Sequence, residues 1–333
     1  MENSMNIYDI AKEAGVSIST VSRVLNNGKT SEKTRKRVQL ILDKYNYKPN
    51  AIARGLVAKT MKTIGVLIVD IRVNHFANTA YIIEQEFRKR GYNVLLCNTG
   101  GSMDNNIKYI NMLSERQVDG LVLVGSIFNE IQNEPSIIRI LENIPVVMAN
   151  GHLNLPNSYS VIVDDYFGIK LAVDHLFGKG HQKILYVQDM ETFSAKEKKK
   201  GFIGAMKEHG LYSGENNIIF KCKHGLEGGK EVVRKIVESK IEFSAIVFGE
   251  DLTAIGAMKE LKEIGYEIPK DVAITGYNNL DYALITDTEL TSVDNKYDLL
   301  ADLSVQLLSG LIEKKESMAF LTIKPSLVVR KSS

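Results

Sequence analysis

The stretch IYDIAKEAGVSISTVSRVLNNG, Ile7 to Gly28, decides how the first part of the chain folds. Ile7, Ile10, Ala11 and Ala14 recur at i, i+3, i+4 and i+7, so they form one apolar stripe on a short helix, and Asn6 stands before them as an N-cap. Gly15 stops that helix, since glycine enters left-handed backbone without a steric penalty. Ser17 caps a second helix whose apolar side is Val21, Val24 and Leu25, leaving Ile18, Ser19, Thr20, Ser22 and Arg23 for the other face. Two short helices across a glycine turn make a helix-turn-helix. The outer face offers small hydroxyls, one fork-shaped cation and one aliphatic group. These are the groups that read base edges in a major groove, where arginine pairs bidentately with guanine and an aliphatic side chain meets the thymine methyl.

Working outward, a third amphipathic segment opens at Ser31-Glu-Lys-Thr and carries Val38, Ile41 and Leu42 on one side, with Arg35, Lys36 and Arg37 available to phosphates. Residues 45–60, YNYKPNAIARGLVAKT, follow. Pro49 interrupts helix, Asn50 can cap a new one, and the short AIARGLVA segment with its internal glycine should be weak alone, a hinge helix that folds when held. Residues 1–62 contain twelve Lys/Arg against five Asp/Glu, a net charge of +7, whereas the remainder carries −5. A basic head on a mildly acidic body meets a polyanion with the head alone.

At 333 residues and 44% hydrophobic, the chain is long enough for about two domains plus a small appendage. From Thr63 onward, apolar runs alternate with helical segments, the rhythm of a parallel α/β protein. IGVLIVD (64–70), NVLLCNT (93–99), GLVLVGS (120–126) and IPVVMAN (144–150) are nearly continuous in hydrophobicity, as strands covered on both faces are. A second series, SVIVDD, KILYVQ, NNIIF, AIVFG and VAITGY, repeats the pattern. The fold class expected is a small all-α helix-turn-helix head plus an α/β body of two doubly wound parallel-sheet lobes. The two cysteines, Cys97 and Cys222, have no partner at ligand spacing, and no run of 18 apolar residues or leader-like N-terminus occurs. A cytoplasmic protein without cofactor, metal or membrane association is expected.

The ordered set IYDIAKEAGVSISTVSRVLNNG, SEKTRKRV, YNYKPNAIARGL, IGVLIVD and the late PSLVVR resembles the LacI/GalR family of bacterial transcription regulators. The resemblance implies domains at 1–48 (helix-turn-helix), 49–62 (hinge helix and linker) and 63–333 (a periplasmic-binding-protein-like body). The first lobe would comprise about 63–160 and 291–322, the second about 161–290 and 323–333. It also implies that Ile18, Ser19, Thr20 and Arg23 address bases, and that Tyr8, Ser17, Ser22, Asn26 and Asn50 contact the backbone. Leu56, with Ala53, would enter the minor groove and wedge open a base step. Ligands of open α/β sheets sit outside the carboxyl ends of the strands. There the family pattern points to Ile71 and Phe76 after the first strand, Asn150, Asp164, Asp165, Lys198, Glu250, Asp251 and Asn278. Carboxylates and amides that grip adjacent hydroxyls, beside an aromatic face, suit a sugar.

Three departures from the family pattern bear on the effector, one of them the first loop, DIRVNHF, where a proline is common. Lys198, within KEKKKGF, stands where sugar-binding members carry arginine, and Asn278 replaces a frequent aspartate. Lysine cannot fork two hydroxyls as arginine does. Either the ligand is phosphorylated or acidic and drawn by the lysines, or the cleft has lost its sugar and a phosphorylated carrier protein drives a catabolite-control-type regulator. The expected partners are therefore a pseudo-palindromic operator duplex, a second copy of the chain, and a sugar, sugar phosphate or sugar acid. An enzyme is the rival class, but VDIRVNH lacks the G-x-G-x-x-G fingerprint and GLEGGK (225–230) lacks the spacing of a phosphate loop.

Overall fold

The computed structural model describes residues 5–25, 28–47, 60–315 and 318–333. The chain divides into two compact units, Met1–Lys62 and Thr63–Ser333.

In the first unit, α1 (Ile7–Ala14) opens on a capping box: the Asn6 side chain accepts from the Tyr8 and Asp9 backbones, and Asp9 accepts from the Asn6 N–H. Gly15 ends it in left-handed backbone at φ 61°. The next helix, α2 (Ile18–Leu25), begins beneath the Ser17 hydroxyl, which accepts from the Thr20 N–H at 3.2 Å. The third, α3 (Glu32–Lys44), is capped by Ser31. Their apolar stripes meet in one small core in which Ile10, Val21 and Val38 are fully buried, with Ala11, Ala14, Val24 and Leu42 around them. Burial of Ile10, Val21, Val24, Val38 and Leu42 stabilises the head by about 1.5–3 kcal/mol each relative to exposure. Val21→Ala would thus open a void between all three helices.

The second unit holds two six-stranded sheets. The first is built from β1 (Thr63–Ile68), β2 (Asn93–Asn98), β3 (Gly120–Val124), β4 (Val146–Ala149), β5 (Ser158–Val163) and, from the far end of the chain, β11 (Phe320–Ile323), in the order β11-β5-β4-β3-β1-β2 and wholly parallel. The second contains β6 (Ile184–Gln188), β7 (Ile219–Lys221), β8 (Ala245–Phe248), β9 (Ala273–Tyr277), β10 (Thr291–Asp294) and β12 (Ser326–Val328), in the order β12-β10-β9-β8-β6-β7. There only β12 runs antiparallel to its neighbour. All five residues of β3 are buried, as a strand with helices on both faces requires.

The helices of the first lobe are α4 (Asn74–Lys89), α5 (Met103–Glu115) and α6 (Pro135–Leu141), with a 3-10 turn over Ser126–Asn133. The second lobe carries α7 (Asp165–Gly178), α8 (Phe193–Glu208), the short α9 (Glu215–Ile218), α10 (Leu226–Glu238), α11 (Asp251–Glu263) and the short α12 (Tyr282–Ile285). The long α13 (Tyr297–Ile312) returns to pack on α4 and the first sheet. Among the described residues, no helix is long and apolar enough to cross a membrane. Cys97 is buried and Cys222 half-buried, both free thiols.

The lobe boundaries differ from those expected. SVIVDD does not start the second lobe: Ser160–Val163 pair with Phe320–Ile323 in the first sheet. Thr291–Asp294, expected in the first lobe, pair with β9 and β12 in the second. The crossings therefore fall at 163–165, 294–297 and 323–326. A continuous apolar run does not say which of two similar sheets it joins, so the expected bounds rested on the resemblance alone.

Candidate functional site

On the head, α2 turns Val21 and Val24 inward, and the opposite face stays in solvent. Ser17, Ser19 and Arg23 are exposed, Ile18 is 39% exposed, and Thr20 and Ser22 are half-exposed. Tyr8 of α1 is also exposed. The hydroxyls satisfy one another: Ser17 Oγ lies 2.8 Å from Ser19 Oγ and 2.9 Å from Thr20 Oγ1. Such weak exposed bonds exchange readily for phosphate oxygens or base edges. Of the three cations expected at phosphates, Arg37 is exposed, Lys36 lies 3.6 Å from Glu32, and Arg35 is drawn inward by a 2.6 Å bond to the Gly28 carbonyl. Asn26, Asn50, Ala53 and Leu56, and with the last three the expected hinge helix, lie outside the described residues.

In the body, the strand order reverses beside β1 in the first sheet and beside β6 in the second. A crevice opens at such switch points, beyond the carboxyl ends of the strands. The two crevices face each other across one chamber of about 270 Å³. Its first-lobe wall is largely apolar, with Val69, Val73, Phe76 and Leu300 beside an Asp70 that is paired with Arg72, whereas its second-lobe wall carries the other charges.

Six of the nine expected rim residues line this chamber: Phe76, Asn150, Asp165, Lys198, Glu250 and Asn278. Ile71 (50% exposed), Asp164 and Asp251 are not on its wall. Asp164 caps α7 by accepting from the Phe167 N–H at 3.0 Å. Asp251 is wholly buried and binds the Ser292 hydroxyl at 2.6 Å and the Leu280 N–H at 2.8 Å. Burial, with Glu250 adjacent, pushes its carboxyl up to about 8.

The polar residues that do line the chamber are tied into the fold. Asp165 accepts from the Tyr277 hydroxyl at 2.6 Å and the Ser194 hydroxyl at 2.5 Å. Burial raises its pKa above the ordinary range. The Ser194 N–H donates to Ser126 Oγ at 3.0 Å, a bond from one lobe to the other. Gly201 lets α7 and α8 approach this closely, because a Cβ there would stand 2.2 Å from the Tyr166 carbonyl oxygen. Glu250 caps α11 through the Thr253 N–H, and burial holds its carboxyl up at about 7. Asn150 accepts from the Val163 N–H, and Asn278, at φ 102°, accepts from Asn295 Nδ2 at 2.9 Å.

The lysine run does not form an anion pocket. Lys198 alone reaches the chamber, where it donates to the Gly249 carbonyl at 2.9 Å and stands 3.6 Å above the Tyr277 ring centroid. Lys196 is exposed, Lys199 pairs with Glu215, and Lys200 with Glu197.

Residues that strand-end reasoning passed over complete the wall. Asp189 follows β6 directly, so the rule that selected Glu250 after β8 would have found it. Its Oδ2 accepts from His224 Nδ1 at 2.8 Å and the Thr253 hydroxyl at 3.0 Å. Burial opposes its ionisation, but the His224 bond and charge, with Lys198 nearby, outweigh that and hold its pKa low. The same bond raises His224. Asp189, His224 and Glu250 bring ligand atoms within 4.8 Å of one another, the donor types of a zinc site, among the described residues. The bond from His224 to Asp189 and the capping role of Glu250 account for that grouping without an ion.

Residues 6–50 match the family described as bacterial regulatory proteins, lacI family, and residues 61–329 match periplasmic binding proteins and sugar binding domain of LacI family. An HTH-type transcriptional regulator of Lachnoclostridium phytofermentans is 37% identical over 99% of this chain and 99% of its own length. The HTH-type transcriptional repressor PurR of Aliivibrio salmonicida is 30% identical over 98% of both. The Lac repressor dimer bound to operator and the anti-inducer ONPF has the same fold, with a TM-score of 0.88, 23% identity and 99% of each chain covered.

Proposed function

The chain belongs to the LacI family of bacterial regulatory proteins and is a DNA-binding transcriptional regulator, and from that premise we propose what it reads and what controls it. It binds a pseudo-palindromic operator as a homodimer, with the exposed face of α2 in the major groove of each half-site. Ile18, Ser19, Thr20 and Arg23 contact bases, while Tyr8, Ser17 and Ser22 contact phosphates. A small polyhydroxylated effector occupies the chamber and sets operator affinity, so that the protein represses genes of carbohydrate use.

The observation that carries this reading is the convergence of Phe76, Asn150, Asp165, Lys198, Glu250 and Asn278, from separate segments of both lobes, on one chamber at the two switch points. A ligand held between the walls favours the approach already bridged by Ser194 and Ser126. Closure then shifts the operator equilibrium by a coupling energy of about 1–3 kcal/mol, and operator must change ligand affinity by the same factor. A phosphorylated or acidic effector is disfavoured, because it would place anions beside Asp165, Asp189 and Glu250.

Selection of bound sites from randomised duplexes tests the DNA half of the proposal, and titration of the selected duplex with sugars present tests the other. A two-fold symmetric site whose affinity shifts with one sugar is the expected outcome. An asymmetric site, or an affinity indifferent to every chamber ligand that raises the melting temperature, would contradict it.

A further inference from the structure

The chamber is short of positive charge. Four carboxylates line it: Asp70 is paired with Arg72 at 2.6 Å, while Asp165, Asp189 and Glu250 face Lys198 and His224. Both cations are engaged, Lys198 on the Gly249 carbonyl and the Tyr277 ring, His224 on Asp189. Glu250, 5% exposed, keeps a proton to about pH 7 under burial beside Asp189. Burial outweighs the nearby His224 charge, which pulls the other way.

A second observation points to a ligand rich in donors. Asn295 lines the chamber at 7% exposure, its Nδ2 is committed to Asn278, and its Oδ1 has no hydrogen-bond partner. His75 Nδ1, in the same lining, is enclosed and likewise unpartnered. Burial, reinforced by the Lys198 charge, lowers that imidazole to about 3, so the ring is neutral and one nitrogen can accept. Orphaned acceptors this well enclosed cost free energy until a donor arrives.

Resting on the reading that the chamber holds the effector, we propose that this effector is an amino polyol of monosaccharide size, an amino sugar with a free amine. Its ammonium lies against Asp189 and Glu250, its hydroxyls donate to Asn295 Oδ1 and His75 Nδ1, and its apolar ring face meets Phe76. The two carboxylates suit a single ammonium because their oxygens stand within 4.8 Å of each other. A neutral hexose would satisfy the acceptors but give Glu250 no cation against which to ionise, and a sugar phosphate would bring a further anion beside Asp189.

The test is calorimetric titration of the full-length protein in EDTA with D-glucosamine, D-galactosamine and D-mannosamine. Each is compared with its parent hexose, its N-acetyl form and its 6-phosphate; Zn²⁺ alone is titrated in EDTA-free buffer. The expected result is saturable binding of one free amine, about tenfold or more tighter than its parent hexose and its N-acetyl form. Glu250→Gln should narrow the gap between amine and hexose, which loss of a merely structural contact would not do. Equal or tighter binding of the parent hexose, N-acetyl form or 6-phosphate would overturn the proposal. So would stoichiometric tight binding of Zn²⁺ alone, or no binding of any aminohexose. In each of those failures specific binding of the selected duplex is unaffected, so the regulator reading stands or falls separately.

Discussion

The outer face of α2 and the second-lobe wall of the chamber are the two polar surfaces proposed to meet DNA and effector, but their polar groups stand in opposite relations to the fold. On α2, Ser19 and Arg23 are exposed, and removing either leaves the small core around Val21 and Val24 intact. On the chamber wall, Glu250 caps α11 and Asp165 ties α7 to Tyr277 and Ser194. Asp251, one residue beyond Glu250, serves the fold alone. The exposed face of α2 can therefore change without loss of stability, whereas changes to Glu250 or Asp165 on the chamber wall also disturb the fold.

The largest expected effect tests that contrast at its extreme. Asp251→Ala leaves the Ser292 hydroxyl and the Leu280 N–H buried without an acceptor, and should cost about 3 kcal/mol in urea unfolding. Ile71→Ala, also expected at the rim but half in solvent, should change stability by less than about 0.5 kcal/mol. Similar losses for the two would erase the distinction. Next, Arg23→Ala should leave unfolding unchanged and relax preference at one base pair per half-site by about 1–3 kcal/mol, read by competition among single-base variants of the selected duplex.

A smaller effect is a pH dependence of opposite sign in the two units. Asp251 and Glu250 have folded pKa values above their unfolded ones, at about 8 and about 7. Their protonation therefore stabilises the body fully below about pH 4, and that contribution is lost as pH rises through 7 to 8. On the head, the hydrogen bond from Lys44 lowers the Glu13 pKa, so that pair contributes above the unfolded value and fades as pH falls. Urea midpoints at pH 5.5 and 8 should differ less in Asp251→Asn than in the parent chain; an unchanged difference would contradict the assignment. Smallest of all, Arg37→Ala should weaken every duplex alike and flatten the slope of log affinity against log salt by about 0.9.

The head was legible because a helix is a one-dimensional pattern: spacing alone puts Val21 and Val24 inside, Arg23 outside, and Asn6, Gly15, Ser17 and Ser31 at the ends. The two lobes were legible from their alternating runs, although near-identical apolar runs could not say that Ser160–Val163 join the first sheet and Thr291–Asp294 the second. The chamber was legible only in part. Phe76, Asn150, Asp165 and Glu250 follow strands and could be anticipated, as could Asp189. Asn295, directly after β10, was open to the same rule, whereas His224 and Ser194 arrive by convergence of distant segments and no local pattern marks them. Nor does sequence separate Glu250, which lines the chamber, from Asp251, which turns into the core beside it.

The most direct test of the central claim is an anisotropy titration at physiological salt, comparing the selected two-fold duplex with one in which a half-site is scrambled. The account predicts that the intact site binds on the order of 10³-fold tighter or more, in line with specific operators. Equal affinity for the two would mean that the exposed face of α2 reads no sequence, and would contradict it.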